Sequence, residues 1–173
     1  MSVLKLAGTA LALWFLTLVI LLAFMAVNAH CGQIVPKWGF EKNVIAQGAG
    51  GGERMYGIEY IHPIKDSMFL KGDTGGWISR QDDRRSSPYA SFQWGYRVQM
   101  TWGLFFEAAV GPGYVHALDA RSSSHVNIFH DLGVGWLQNG YGLGLGFKHI
   151  SNAGIVPPNL GRDFLGVRFL IPL

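Results

Sequence analysis

The chain has 173 residues, enough for one domain of ordinary size, and 49% of them are hydrophobic against only 14% charged. With 24 glycines and 13% aromatic residues it has too little polar surface for an ordinary water-soluble fold, so the composition points to a membrane-associated protein. A formal net charge of +3 is too small to suggest a nucleic-acid partner.

The first element in the chain is an uncharged run from Leu6 to Val27, preceded by Lys5 and followed by Asn28 and Ala29. This is the layout of a secretory leader cleaved after Ala29, which makes 1–29 a signal peptide and 30–173 the folded domain. The run is long for a leader core, so an uncleaved anchor is the alternative. Cys31 is the single cysteine, which excludes a disulfide within the chain, and His30 stands where a lipid-modified cysteine wants a small residue. "GAGGGE" reads as a flexible turn.

Beyond residue 30 the dominant pattern is alternation, the period of β-strands. Eight strands are expected near 39–49, 54–62, 67–79, 89–100, 103–117, 125–137, 141–151 and 163–173. In "RMYGIEYIH", Tyr56, Ile58 and Tyr60 oppose Gly57 and Glu59; in "SFQWGYRVQM", Phe92, Trp94, Tyr96, Val98 and Met100 oppose Ser91, Gln93, Gly95, Arg97 and Gln99. "LFFEAAVGPGYVHA" sets Leu104, Phe106, Ala108, Val110 and Tyr114 against Glu107, Gly111 and Gly113. "VNIFHDLGVGWL" sets Val126, Ile128, Leu132, Val134 and Trp136 against Asn127, Asp131, Gly133 and Gly135.

Any one of these strands would also suit a soluble sandwich. The leader and the aromatic content favour a membrane barrel. Strands of roughly 9–11 residues cross a bilayer, and open edges are forbidden there, so the fold class expected is an all-β, eight-stranded antiparallel transmembrane barrel. The connections agree with it. "PIKD", "TW" and "QNG" are short, as periplasmic turns are, whereas "RQDDRRSSP", "LDARSSSH" and "NAGIVPPNLGR" are longer, as external loops are.

The seventh strand, "YGLGLGFKHIS", puts Tyr141, Leu143, Leu145, Phe147, His149 and Ser151 on one face and Gly142, Gly144, Gly146 and Lys148 on the other. In the eighth, Asp163, Leu165, Val167, Phe169 and Ile171 face lipid, while Gly166 and Arg168 face inward. Ser151, His149 and Asp163 therefore meet at one corner of the outer rim. A serine needs a base to become a nucleophile, and an imidazole base needs a carboxylate to hold its tautomer, so these three residue types fit an acyl-transfer triad. They equally fit a polar rim at the headgroup level.

"HISNAGI" at 149–155, the acidic residue twelve positions after Ser151 and the terminal "FLIPL" resemble the outer-membrane lipid A 3-O-deacylases of the PagL type. The likeness continues more weakly through "LFFEAAVGPG" and "NIFHDLGVGW". It implies an eight-stranded barrel with a lipid-facing serine hydrolase site, His149 as base, Ser151 as nucleophile, Asp163 as orienting acid and Asn152 as helper of the oxyanion. The family more often has glutamate at the position of Asp163, and aspartate is one methylene shorter. The reading that follows is an esterase removing a 3-hydroxyacyl chain from the 3 position of lipid A in the outer leaflet of the bacterial outer membrane. Backbone groups near Asn152 and Gly154 would serve the oxyanion. Lipopolysaccharide and outer-membrane lipids are the expected partners, and a second copy of the chain is a further candidate. The rivals are a structural or adhesion barrel without activity, and an acyltransferase.

Glu59, Arg97, Glu107, Asp131, Lys148 and Arg168 fall on the inner face, where a structural ion-pair network is expected. His116 and His130 are read as outward-facing and on different strands, so no metal is assigned, and the triad chemistry calls for no cofactor. Arg80, Arg84, Arg85 and Arg162 lie in external connections, where guanidinium forks suit the phosphates of lipid A.

Overall fold

The computed structural model describes residues 32–41, 52–79, 86–119, 123–157 and 159–173. The expected leader, Cys31 and the three arginines Arg80, Arg84 and Arg85 lie outside the described residues. The strands are β1 (Gln33–Glu41), β2 (Arg54–Lys65), β3 (Met68–Ile78), β4 (Ser87–Gln99), β5 (Leu104–Val115), β6 (Val126–Gln138), β7 (Tyr141–Ser151) and β8 (Arg162–Pro172). Each pairs antiparallel with the next, and β8 pairs with β1, closing the barrel. Closure satisfies every strand edge, the condition for β-structure in a bilayer.

From β2 to β8 the strand boundaries lie within three residues of those read from the alternation. The first strand is a correction: it begins at Gln33, not at residue 39. Its sequence, "QIVPKWGFE", contains Pro36, which reads as a strand breaker because it cannot donate to a ladder. In the barrel the proline is tolerated where the ladder to β8 has no partner for it: pairing passes from Ile34 with Ile171 to Lys37 with Arg168.

The outside is apolar, and the middle of the interior is charged. Trp38, Ile58, Trp94, Phe106, Leu132 and Leu145 are all exposed, whereas Lys37, Glu59, Lys71, Asp73, Glu107, Asp131, Lys148 and Arg168 are buried. Tyr60 departs from the expected outward set of β2: it is buried, its ring lying against Gly32.

The interior has three layers. At the end carrying the short turns, Val35, Ile61, Phe69, Phe105, Leu137 and Leu170 form an apolar cluster. At the end carrying the long connections, Met55, Trp77, Tyr89, Phe129, Ile150 and Phe164 form another. Between them lies the ion-pair network. Lys37 reaches Glu59 at 2.9 Å and Asp73 at 2.6 Å; Lys148 reaches Asp73 at 2.8 Å and Asp131 at 2.5 Å. Lys71 also bonds Asp131, and Arg168 bridges Glu107 and Glu59, the latter at 2.6 Å. Arg97 completes it with Glu107 at 2.7 Å. Glu59, Asp73 and Asp131 approach within 4.8 Å of one another, a spacing able to hold a cation. The ammonium groups of Lys37, Lys71 and Lys148 already neutralise them there. Glycines on this face make room for the long cations: a Cβ on Gly146 would come within 2.6 Å of the Arg168 side chain.

Two measurements test this arrangement. With a single tryptophan retained, brominated-chain lipids should quench Trp94, 57% exposed on the outer wall, and spare Trp77, 1% exposed inside; equal quenching would contradict the inside-outside assignment. Asp131→Ala takes a carboxylate partner from both Lys71 and Lys148, so urea unfolding in micelles should show a loss of about 3–5 kcal/mol. A loss near zero would mean that the charges do not act together.

Candidate active site

The site is a consequence of strand parity. On β7 the outward residues run from Tyr141 through Leu143, Leu145 and Phe147 to His149 and Ser151, and the half-buried state of the last two matches their place at the end of the wall. Register then chooses the neighbours of His149: Asp163 stands directly across on β8 and His130 directly across on β6. The short aspartate reaches, because its Oδ1 lies 2.6 Å from His149 Nδ1. The two side chains are 36% and 34% exposed. The His130 ring lies 5.8 Å from that of His149, centroid to centroid.

Ser151 follows two residues on, its Cα about 6.7 Å from that of His149 by the rise of a strand. With Nδ1 committed to the carboxylate, the imidazole offers Nε2 as acceptor for a hydroxyl proton. The row can therefore activate a hydroxyl and stabilise the cation formed when the proton moves.

Past Ser151 the chain turns through Ala153 and Gly154, both with positive φ (53° and 77°). Asn152 is buried and organises this turn. Its Nδ2 donates to Val156 O at 2.6 Å and to Ser123 Oγ at 2.9 Å, and its Oδ1 accepts from Gly154 N–H at 3.0 Å. The Asn152 N–H donates to Asn159 Oδ1 at 3.2 Å. This corrects the expectation for the Asn152 carboxamide: both of its N–H groups are already given to Ser123 and Val156. Asn159 and Ser123 had no signal in the sequence, since nothing in their spacing relates them to residue 152.

Arg162 is a second correction. Expected at the surface as a phosphate contact, it is 1% exposed. Its Nε donates to Glu53 at 2.9 Å, its other end bonds Asp119, and its guanidinium lies 4.6 Å from the Trp77 ring centroid. Strand parity explains the change: as the first residue of β8, next to outward Asp163, it points inward. A cation already shared between two carboxylates is a poor receptor for a phosphate.

Below the row His130–His149–Asp163, the next outward row is Leu132–Phe147–Leu165. It lines a groove of about 630 Å³ on the outer wall, together with Tyr96, Phe106, Ala108 and Leu145. The His149–Asp163 pair thus sits one outward row from an apolar trough.

Fold and site together define a small membrane barrel with a histidine–aspartate pair on its outer wall instead of in the lumen. The chain belongs to the lipid A 3-O-deacylase (PagL) family, whose model matches residues 64–172. The family's name denotes a hydrolase acting on an ester of lipid A. Among solved structures, the crystal structure of the outer membrane enzyme PagL shares the fold, with a TM-score of 0.61 at 19% identity, covering 82% of this chain and 99% of that one. No curated protein matches the chain.

Asn152→Ala should release the loop, since it removes three hydrogen bonds worth about 0.5–1.5 kcal/mol each. Protease cleavage within 152–161 is expected to accelerate while the barrel itself stays resistant. Unchanged cleavage would show that other contacts hold the loop.

Proposed function

We propose that this barrel is a serine esterase of the outer membrane that removes the 3-hydroxyacyl chain from the 3 position of lipid A in the outer leaflet. The observation that carries the reading is the 2.6 Å bond between His149 and Asp163 on the lipid-facing wall, beside Ser151 and at the head of an apolar groove. Residues 1–29 then serve as the export leader and 30–173 as the barrel.

Ser151 Oγ attacks the ester carbonyl while His149 Nε2 takes its proton. The negative charge gathers on the former carbonyl oxygen. The Asn152 N–H receives it, exchanging its 3.2 Å bond to Asn159 for the oxyanion, whereas the Gly154 N–H is held by Asn152 Oδ1. Each donor of this kind is worth about 3–4 kcal/mol in the transition state. Collapse of the intermediate breaks the bond to the sugar oxygen, which takes the proton from His149. Water, deprotonated by the same imidazole, then attacks the acyl-serine and frees the hydroxy fatty acid. Asp163 holds the imidazole in the tautomer that presents Nε2 and stabilises the cation in each half-reaction.

The wall location suits a substrate that lies in the bilayer. A chain lying in the groove stays in hydrocarbon, so withdrawing each methylene into water, at about 0.8 kcal/mol, is avoided.

Mass spectrometry of lipid A from cells with and without the protein tests the reaction: loss of one hydroxyacyl chain is expected. A gain of a chain would identify an acyltransferase, and no change a structural barrel. Ser151→Ala and His149→Ala should abolish the loss while leaving a heat-modifiable, folded barrel, because neither side chain packs in the interior. Asp163→Asn should lower kcat by about 10⁴. Near-normal turnover in any of the three would remove the triad.

A further inference from the structure

We infer that Gly161 is a positioning residue for His149, kept bare so that the imidazole stays in place. This rests on the reading of His149 as the base. Gly161 immediately precedes β8 and has φ +66°. A Cβ built there would lie 2.9 Å from His149 Cε1 and 3.6 Å from Nε2, with the backbone oxygen of Ile150 at 3.3 Å. The intruding atom would therefore meet the ring at Cε1, the carbon between Nδ1, which bonds Asp163, and Nε2. Pushing that carbon moves both nitrogens, the one bonded to Asp163 and the one that exchanges the proton.

Such a contact is harmless if the backbone can retreat. Here it is held, because the next residue, Arg162, is buried and bonded to both Glu53 and Asp119, with its guanidinium over Trp77. The His149 side chain is the softer partner, being 36% exposed on the outer wall. A side chain at position 161 displaces the imidazole, and the displacement is transmitted to the 2.6 Å bond with Asp163. Arg162, the residue expected to touch substrate, instead supplies the anchor that makes the glycine matter.

Two requirements act at position 161, and substitution separates them. Positive φ alone is tolerated by asparagine, which visits the left-handed region readily, whereas the absence of a Cβ is met only by glycine. Gly161→Asn and Gly161→Ala should be compared with wild type and Ser151→Ala, using full-length protein in mixed micelles with lipid A. Both position-161 variants are expected to lose about 100-fold in kcat, the effect of misplacing a reacting group by about 1 Å, with KM unchanged. Proton NMR of the histidine-labelled protein should show the strongly deshielded Nδ1 proton of His149 shifted or lost in both variants and kept in Ser151→Ala. Wild-type turnover in Gly161→Asn would mean that only backbone conformation matters at 161, and the inference fails. An unshifted Nδ1 proton in a slow, folded variant would overturn it equally, since the ring would not have moved. The functional reading fails on different evidence, namely wild-type protein that does not deacylate lipid A, and the NMR comparison still decides whether Gly161 positions the ring.

Discussion

Closure of β8 onto β1 is the constraint on which the rest of the structure depends. A bilayer offers no water to satisfy a free edge, so the sheet must close, and closure converts the two faces of every strand into a lipid face and a lumen face. From that point parity decides the surroundings of each side chain. Val35, Lys37 and Gly39 turn inward because Ile34, Trp38 and Phe40 turn out; Lys148 enters the ion-pair layer because His149 does not. A slip of one residue in β7 would exchange them and take the reactive row off the wall.

The layered interior makes that parity expensive to break. Every charge in the central layer except the partly covered Arg97 is buried, and each is bonded to a partner on another strand, so the network spans the barrel from β1 to β8. Buried ion pairs of this kind contribute little against a well-packed apolar core, but removing one partner is costly. Their effect is to penalise wrong registers. The apolar clusters above and below supply the burial, with Trp77, Tyr89, Phe129 and Phe164 packed just beneath the rim where the site lies.

That rigid rim lets the site be built on the open wall. His149 and Asp163 are only partly covered, yet their backbones belong to paired strands, and the Arg162 anchor fixes the entry to β8 from the inside. The loop after Ser151 is tied to the β5–β6 connection through Asn152 and Ser123. One surface therefore combines a firmly held histidine–aspartate pair with an apolar outer wall.

Much of this was legible in the chain itself. Alternation depends only on local sequence, so it revealed the strands from β2 to β8, the outward set Leu143, Leu145, Phe147, His149 and Ser151, and the inward charges Glu59, Arg97, Glu107, Asp131, Lys148 and Arg168, though not Lys37, Lys71 or Asp73. It failed at β1, where Pro36 hides the period, and at Tyr60, which Gly32 covers. The His–Ser motif and the acidic residue beyond it were visible as a pattern, but their meeting is a matter of register. Only the paired strands set His149 opposite Asp163 at hydrogen-bonding distance and His130 on its other side. The tertiary structure alone decided the fates of Arg162 and Asn152. A loop arginine looks like a ligand for phosphate until two carboxylates distant in sequence, Glu53 and Asp119, are found beside it, and a loop asparagine looks like an oxyanion donor until its carboxamide is seen to be spent on Ser123, Val156 and Gly154. Local pattern fixes which way a side chain points; what it finds there depends on residues that only folding brings near.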